Sequence, residues 1–244
     1  MPESLTGRRE GNPGKNERER KLYIKDSPLL DAVYHRDEGV EREAEVERRF
    51  LPKRLLSEDE CMALSHGHMR GIEQAYVLAH MAGGADRTFR LRRTDHPAEG
   101  RLLRVAIKKK IDGGELGKDE YQLKFSEDDP RTEEFNRLWD ARVWNAIAKT
   151  RYYIPLTLPN GNSVEIHYDV HHGEGMERVV RIEIEFHSKA DETLFCSRAD
   201  DSFLPDWIGK DVTADVQYSG TQIAQKGFPQ EARELMAKLE KKEV

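Results

Sequence analysis

The sequence predicts an α+β fold, mainly antiparallel β, with about eight strands closed into a tunnel and helices packed outside. Three observations predict it. Short strand-like runs recur between turns from about residue 43 to residue 186. Within those runs charged residues fall on alternate positions, and the positions between them are often apolar or aromatic. One amphipathic stretch and one terminal helical stretch supply cover for an apolar sheet face.

Residues 1–40 are rich in Gly, Pro, Arg, Glu and Asn and read as a charged extension, disordered at least to about residue 20, with "SPLLDAVYH" (27–35) as a short docking helix. The main domain is expected over 41–229. Its first strand covers about 43–52, and Ser57 with Glu60 forms a capping signature that starts a helix over 57–67. Strands follow at 72–80, 87–94, 102–110 and 117–126, with "GGAD" (83–86) and "DHPAEG" as turns. Phe135, Leu138, Trp139, Val143, Trp144 and Ile147 recur at helical spacing and predict a helix over 132–148. Strands resume at 149–156, 163–172 and 178–186, separated by "PNGN" and "GEG". A loop and helix region follows, and "PQEARELMAKLEKKE" gives a C-terminal helix in the last segment, 230–244.

Composition narrows the function. Charged residues are 35% of the 244, against roughly 25% in an average domain. Yet 40 basic and 46 acidic residues leave a net charge of only -6, which argues against a specific nucleic-acid binder. Two distant cysteines read as reduced thiols. No apolar run is long enough to span a bilayer and no signal peptide is evident, so a soluble cytoplasmic protein is expected.

The strand faces carry the chemistry. Glu45, Glu47 and Arg49 share one face, as do Arg90 with Arg92, and Arg104 with Lys108 and Lys110. So do Lys118, Glu120 and Gln122; Lys149 and Arg151; Glu165, His167, Asp169 and His171; and Arg181, Glu183 and Glu185. For one strand alone a solvated face is the simpler reading. The complementary faces, however, carry Val46, Phe50, Leu91, Ile107, Tyr152, Ile166, Tyr168, Val170, Ile182, Ile184 and Phe186, which need a covering layer. If helices cover them, the charges point into a hydrated tunnel. Converging bases suit a polyanion. Carboxylate clusters among them suit Mg²⁺ or Mn²⁺ bridging to phosphate.

These residues resemble a known family. "EVERRFL" resembles the ExExK signature that opens CYTH domains, the triphosphate tunnel metalloenzymes. "IEQAYV", "FRLRR", "VAIKK", "KTRYY", "IHYDVHHGEG" and "RIEIEF" resemble its later strands, and "PDWIGKDVTADVQYSGTQIAQKGFP" its closing segment, over about residues 43–229. The resemblance implies an antiparallel tunnel that binds a triphosphate or polyphosphate with one or two divalent cations and hydrolyses phosphoanhydride bonds. Glu45 and Glu47 match its first metal-binding pair, Glu183 and Glu185 the second, and Asp169 a further tunnel acid counted with them as a metal ligand. Arg90, Arg92, Lys108, Lys149 and Arg151 match its phosphate-holding bases, and Lys110 shares the face of Lys108. Glu45, Glu47, Arg49, Glu120 and Asp169 are the catalytic candidates.

Three departures bear on activity: Arg49 replaces the signature lysine, Gln122 stands where relatives have an acid, and His167 stands where they often have Glu. Non-catalytic polyphosphate or nucleotide binding and adenylyl cyclase activity are the alternatives, with a plain scaffold sheet as a third; a homodimer is left open. His66 and His68 in "SHGH" read as loop residues, and His171 as a polar non-ligand. P-loop, HExxH, CxxC and GxSxG motifs do not occur.

Overall fold

Alternation of charged and apolar side chains leaves each strand with one face that must be covered, and the fold is built around that need. The computed structural model describes residues 22–80, 86–96, 100–110, 117–173, 176, 178–198 and 203–242. The disorder expected up to about residue 20 lies outside them, as does most of "GGAD". The elements are β1 (Leu22–Tyr23), α1 (Pro28–His35), β2 (Glu41–Pro52), α2 (Glu58–Leu64), β3 (Met69–His80), β4 (Asp86–His96), β5 (Gly100–Lys110) and β6 (Gly117–Ser126). They continue with α3 (Thr132–Asp140), β7 (Ile147–Thr157), β8 (Ser163–His172), β9 (Val180–Phe186), α4 (Lys189–Ser197), β10 (Ile208–Asp211), α5 (Gly220–Lys226) and α6 (Gln230–Glu240). No described helix is long and apolar enough to cross a membrane.

An antiparallel sheet with surrounding helices gives the expected α+β class. Its strand path is β3-β4-β5-β6-β2-β9-β8-β7, and β3 also pairs with β7 from Met69↔Tyr152 to Gln74↔Ile147. β1 adds in parallel to β3, and β10 adds to β2.

Two apolar clusters cover the outward faces. Ala75, Val77, Phe89, Leu91, Leu103, Val105, Ile107 and Leu123 pack with Leu29, Leu30 and Val33 of α1 and with Phe135, Leu138 and Trp139 of α3. Ile154, Ile166, Tyr168, Ile182 and Ile184 pack with Phe195 of α4, Ile223 of α5, Met236 of α6 and Trp207. Most strand residues of both clusters lie on the positions that alternate with the charged ones; Tyr76 and Ile147 share the charged face.

Local signals fix the helix starts. Ser57 and Glu60 complete the capping box of α2, and Ser27 caps α1 with Pro28 in its first turn. The helix expected over 132–148 instead stops at Asp140. Phe135, Leu138 and Trp139 belong to one cluster, whereas Trp144 and Ile147 pack in the other. The helical spacing therefore runs across two separate packing surfaces, and Ile147 already begins β7. Helix α4 and strand β10 were not expected from the sequence.

Candidate functional site

The strand faces opposite the two clusters enclose a cavity of about 1180 Å³. Eleven Lys or Arg residues and six Glu residues are among its described lining residues, a basic excess inside a chain of net charge -6. β2 contributes Glu47 and Arg49, β4 Arg90 and Arg92, and β5 Arg104 and Lys108. β6 contributes Glu120, β7 Lys149 and Arg151, β8 Glu165 and His167, and β9 Arg181, Glu183 and Glu185. The structure thus brings together Glu47, Arg49, Arg90, Arg92, Lys108, Glu120, Lys149, Arg151, Glu183 and Glu185 as the alternation predicts. Glu45 lies on β2 opposite Lys118, and Lys110 opposes the same residue from β5; the side chains of Glu45 and Lys110 lie outside the described residues.

Asp169 is fully buried behind the cavity wall. It accepts hydrogen bonds from Lys149 Nζ at 2.5 Å and from Arg151 Nε and Nη2 at 2.7 and 2.9 Å, and Arg181 lies 3.7 Å away. Burial opposes its ionisation, but Arg151 and Lys149 outweigh that and hold the carboxyl far below its usual range. Glu183 is bound by Arg151 at 2.5 Å and Arg181 at 2.6 Å. It too is held low against its own burial, by Arg181, Arg151 and Lys149.

A second cluster lies around Glu120, which pairs with Arg90 and sits 3.6 Å from Lys108. Burial raises its pKa, and Arg90, Lys108, Arg92 and Arg104 more than reverse that, to about 2. Arg92 has the opposite problem. Burial, then Arg90, Arg104 and Arg151, push its guanidinium down to about 9. Its Nη2 donates to Gln74 Oε1 at 3.1 Å, while its Nε and that of Arg181 are buried without a hydrogen-bond partner. Lys149 is likewise pushed down to about 7 by burial and Arg151. Crowded cations and orphaned donors of this kind are what an anion relieves.

Three donors suit a divalent cation. His167, Glu183 and Glu185 each bring one ligand atom within 4.8 Å of the others. Two carboxylates and an imidazole are a chemically suitable set. His167 Nε2 lies 2.7 Å from Glu165 Oε1, and Nδ1 lies 3.1 Å from Glu185 Oε1. Burial and Arg151 lower the imidazole pKa, but Glu185 and Glu165 prevail and raise it. On the neighbouring strand β2, Glu47 pairs with Arg49.

At one end of the cavity Ser219, Gly220 and Thr221 form the wall. A Cβ on Gly220 would lie 2.4 Å from Tyr76 Oη, so the backbone approaches the lining side chains as closely as glycine permits. Toward the other end Tyr153 stacks on His68 with ring centroids 4.5 Å apart, and Arg70 lies over Tyr153. His171 is buried, with Nδ1 at 3.1 Å from the Val179 carbonyl oxygen, and does not line the cavity.

Sequence reasoning assigned no role to Gln74, Tyr76, Tyr153 or Arg181. The first two alternate with Ala75 and Val77, so the same period-two signal marks them. Arg181 shares a face with Glu183. The 219–221 wall comes from an irregular segment with no such signal.

No family model and no curated protein matches the chain. Two solved structures of a protein called NE1496, one described as a hypothetical protein and the other as an inorganic triphosphatase, are similar to it. They cover 76% of this chain and 99% and 97% of their own, at 24% and 22% identity and TM-scores of 0.42 and 0.43. A third, a putative adenylyl cyclase HpAC1 from Hippeastrum described as having a dominant triphosphatase activity, covers 78% of this chain and 98% of its own. Its identity is 13% and its TM-score 0.41.

Proposed function

We propose that the chain is a triphosphate tunnel metalloenzyme of the CYTH type, which binds inorganic triphosphate or a related phosphate chain and hydrolyses a phosphoanhydride bond. The observation that carries this is the basic excess lining a large cavity in a net acidic protein. The ring of pairings through β3 and β7 supports a closed tunnel, with helices outside it. The reading rests on this chain's own residues.

Arg90, Arg92, Lys108, Lys149 and Arg151 hold the phosphate oxygens, and Lys110, two residues beyond Lys108 on β5, is a further candidate. The unpartnered Nε donors of Arg92 and Arg181 complete that cradle. Each opposite-charge contact near 4 Å is worth ~4 kcal/mol at an effective dielectric of 20, before desolvation. Glu47, Glu183 and Glu185, with Glu45, are the carboxylates that hold Mg²⁺ or Mn²⁺. When bound, such an ion neutralises charge on the phosphate chain and lowers the pKa of water. Glu120, kept ionised by the surrounding bases, orients the attacking water. Water adds to one phosphorus while the bond to the bridging oxygen breaks. Positioning and charge stabilisation supply most of the catalysis.

The test is phosphate release from tripolyphosphate, ATP, thiamine triphosphate and long polyphosphate, each with Mg²⁺ or Mn²⁺. Release from tripolyphosphate is expected, and no release from any of them at high protein concentration overturns the hydrolytic reading. Metal-dependent binding without release identifies a binding module instead. That alternative draws support from Arg49, which is locked to Glu47 and deprotonates far less readily than the signature lysine. Cyclic AMP formed from ATP identifies a cyclase.

A further inference from the structure

His167 looks at first like a loss. It stands on a strand face of acids, where a carboxylate would be the expected ligand for a hard cation. The geometry around it says otherwise. Its Nε2 is 2.7 Å from Glu165 Oε1, which orients the ring and directs Nδ1 toward Glu185 and Glu183. A carboxylate on the far nitrogen is the arrangement that fixes the tautomer of metal-bound histidines and raises their basicity.

The same donors already surround a positive centre. The Arg151 guanidinium reaches Glu183 Oε2 at 2.5 Å and His167 Nδ1 at 2.7 Å, and it lies 3.9 Å from Glu185 Oε1. Arg151 is also held by both oxygens of Asp169, so it keeps a buried anionic partner when it gives up these contacts.

We infer that His167 Nδ1, Glu183 and Glu185 form a mixed nitrogen and oxygen metal site that takes a first-row transition ion such as Mn²⁺ in preference to Mg²⁺. Glu165 acts as the positioning residue for the imidazole. Imidazole nitrogen favours the transition series, whereas Mg²⁺ favours oxygen donors and retains its waters. The inference rests on the proposed reading of this cavity as a metal-assisted phosphate site and narrows its cofactor.

The test uses the full metal-free chain and Mn²⁺ itself, without substrate. Mn²⁺ binding is followed by the electron paramagnetic resonance signal of the free ion, with Mg²⁺ as competitor. Pulsed measurements read ¹⁴N coupling to the bound ion. The expected results are ¹⁴N coupling in the wild type, its loss in His167→Glu, and a Mn²⁺ over Mg²⁺ preference that falls about tenfold in that variant. Glu165→Gln alters a half-exposed residue and is the variant least prone to misfold. It is expected to weaken Mn²⁺ binding about tenfold while keeping the ¹⁴N coupling. Absence of ¹⁴N coupling in the wild type overturns the inference, as does an unchanged preference in folded His167→Glu. Phosphate release from tripolyphosphate, ATP, thiamine triphosphate and long polyphosphate is measured separately. Selective Mn²⁺ binding without release leaves this inference standing and removes the hydrolytic reading; release without selectivity does the reverse.

Discussion

Asp169 shows what a single residue does in this interior. It is fully buried and contacts Lys149, Arg151 and Arg181. Removing one partner of a buried pair leaves the others uncompensated and typically costs about 3–5 kcal/mol. Asp169→Asn is therefore expected to lower the unfolding free energy from urea titration by an amount of that order. Because the freed cations face a cavity suited to anions, tripolyphosphate should restore more stability to the variant than to the wild type. Equal midpoint shifts on adding tripolyphosphate would show that these cations do not reach the ligand. The two cysteines differ for an equally local reason. Cys61 is buried, and burial followed by Glu60 and Glu58 raises its thiol to about 12; Cys196 is exposed, and burial and Glu192 raise its thiol as well, without the large shift of Cys61. Only the thiolate alkylates, so at pH 8 the folded chain should react at Cys196 first, with Cys61 slowed roughly a thousandfold relative to the unfolded chain. Mass spectrometry of an iodoacetamide time course checks this, and early labelling of Cys61 would contradict its placement.

At the scale of elements, α1 decides whether the segment before β2 is an appendage or part of the fold. Leu29, Leu30 and Val33 are buried against Phe89, Leu91 and Val105, and Ser27 Oγ donates to Glu134 Oε1 of α3 at 2.5 Å. Leu30→Ala removes a fully buried side chain and should cost about 2–5 kcal/mol. A change under half a kilocalorie in the urea midpoint analysis would mean that α1 only rests on the sheet. The elements also show how far the sequence could be read. Strands with strict alternation, such as "RIEIEF" and "RLLRVAIKKK", were legible with the faces they present, because a period of two fixes a face whatever the strand packs against. With the faces came most of the lining, including Arg90, Lys108, Lys149 and Glu183. Boundaries set by tertiary packing were not legible. The stretch from Phe135 to Ile147 kept a helical period while serving two clusters, and β10 is four residues whose pairing with β2 depends on distant segments. His167 was visible as a residue on the right face. Its orientation by Glu165 depends on side-chain geometry that spacing does not encode.

For the whole molecule, the placement of Ser219–Thr221 bears on how a phosphate chain would enter the cavity. β3 runs from Arg70, near the His68 and Tyr153 stack, to Tyr76, a span of about 20 Å at 3.3 Å per residue. At the Tyr76 end the backbone of Gly220 leaves no room for a Cβ, and Arg181 Nη1 donates to the Tyr218 carbonyl at 2.9 Å. Ser219, Gly220 and Thr221 thus bring chain from outside the sheet against the lining side chains at that end. If that wall closes the cavity, a ligand entering past His68 and Arg70 would stop there. On the proposed function, long polyphosphate would then be bound by one end and cut a fixed distance from a terminus. At equal total phosphate, the rate should follow the number of chain ends and fall as chains lengthen. Gel analysis should show gradual shortening with early release of small products. Internal cuts, seen as mid-length chains before any small product, would mean that the 219–221 wall does not stand in the path. Screening by added salt separates this steric limit from the electrostatic one. Raising ionic strength should weaken tripolyphosphate and long polyphosphate alike, since both meet the same bases, and leave the dependence on chain ends unchanged.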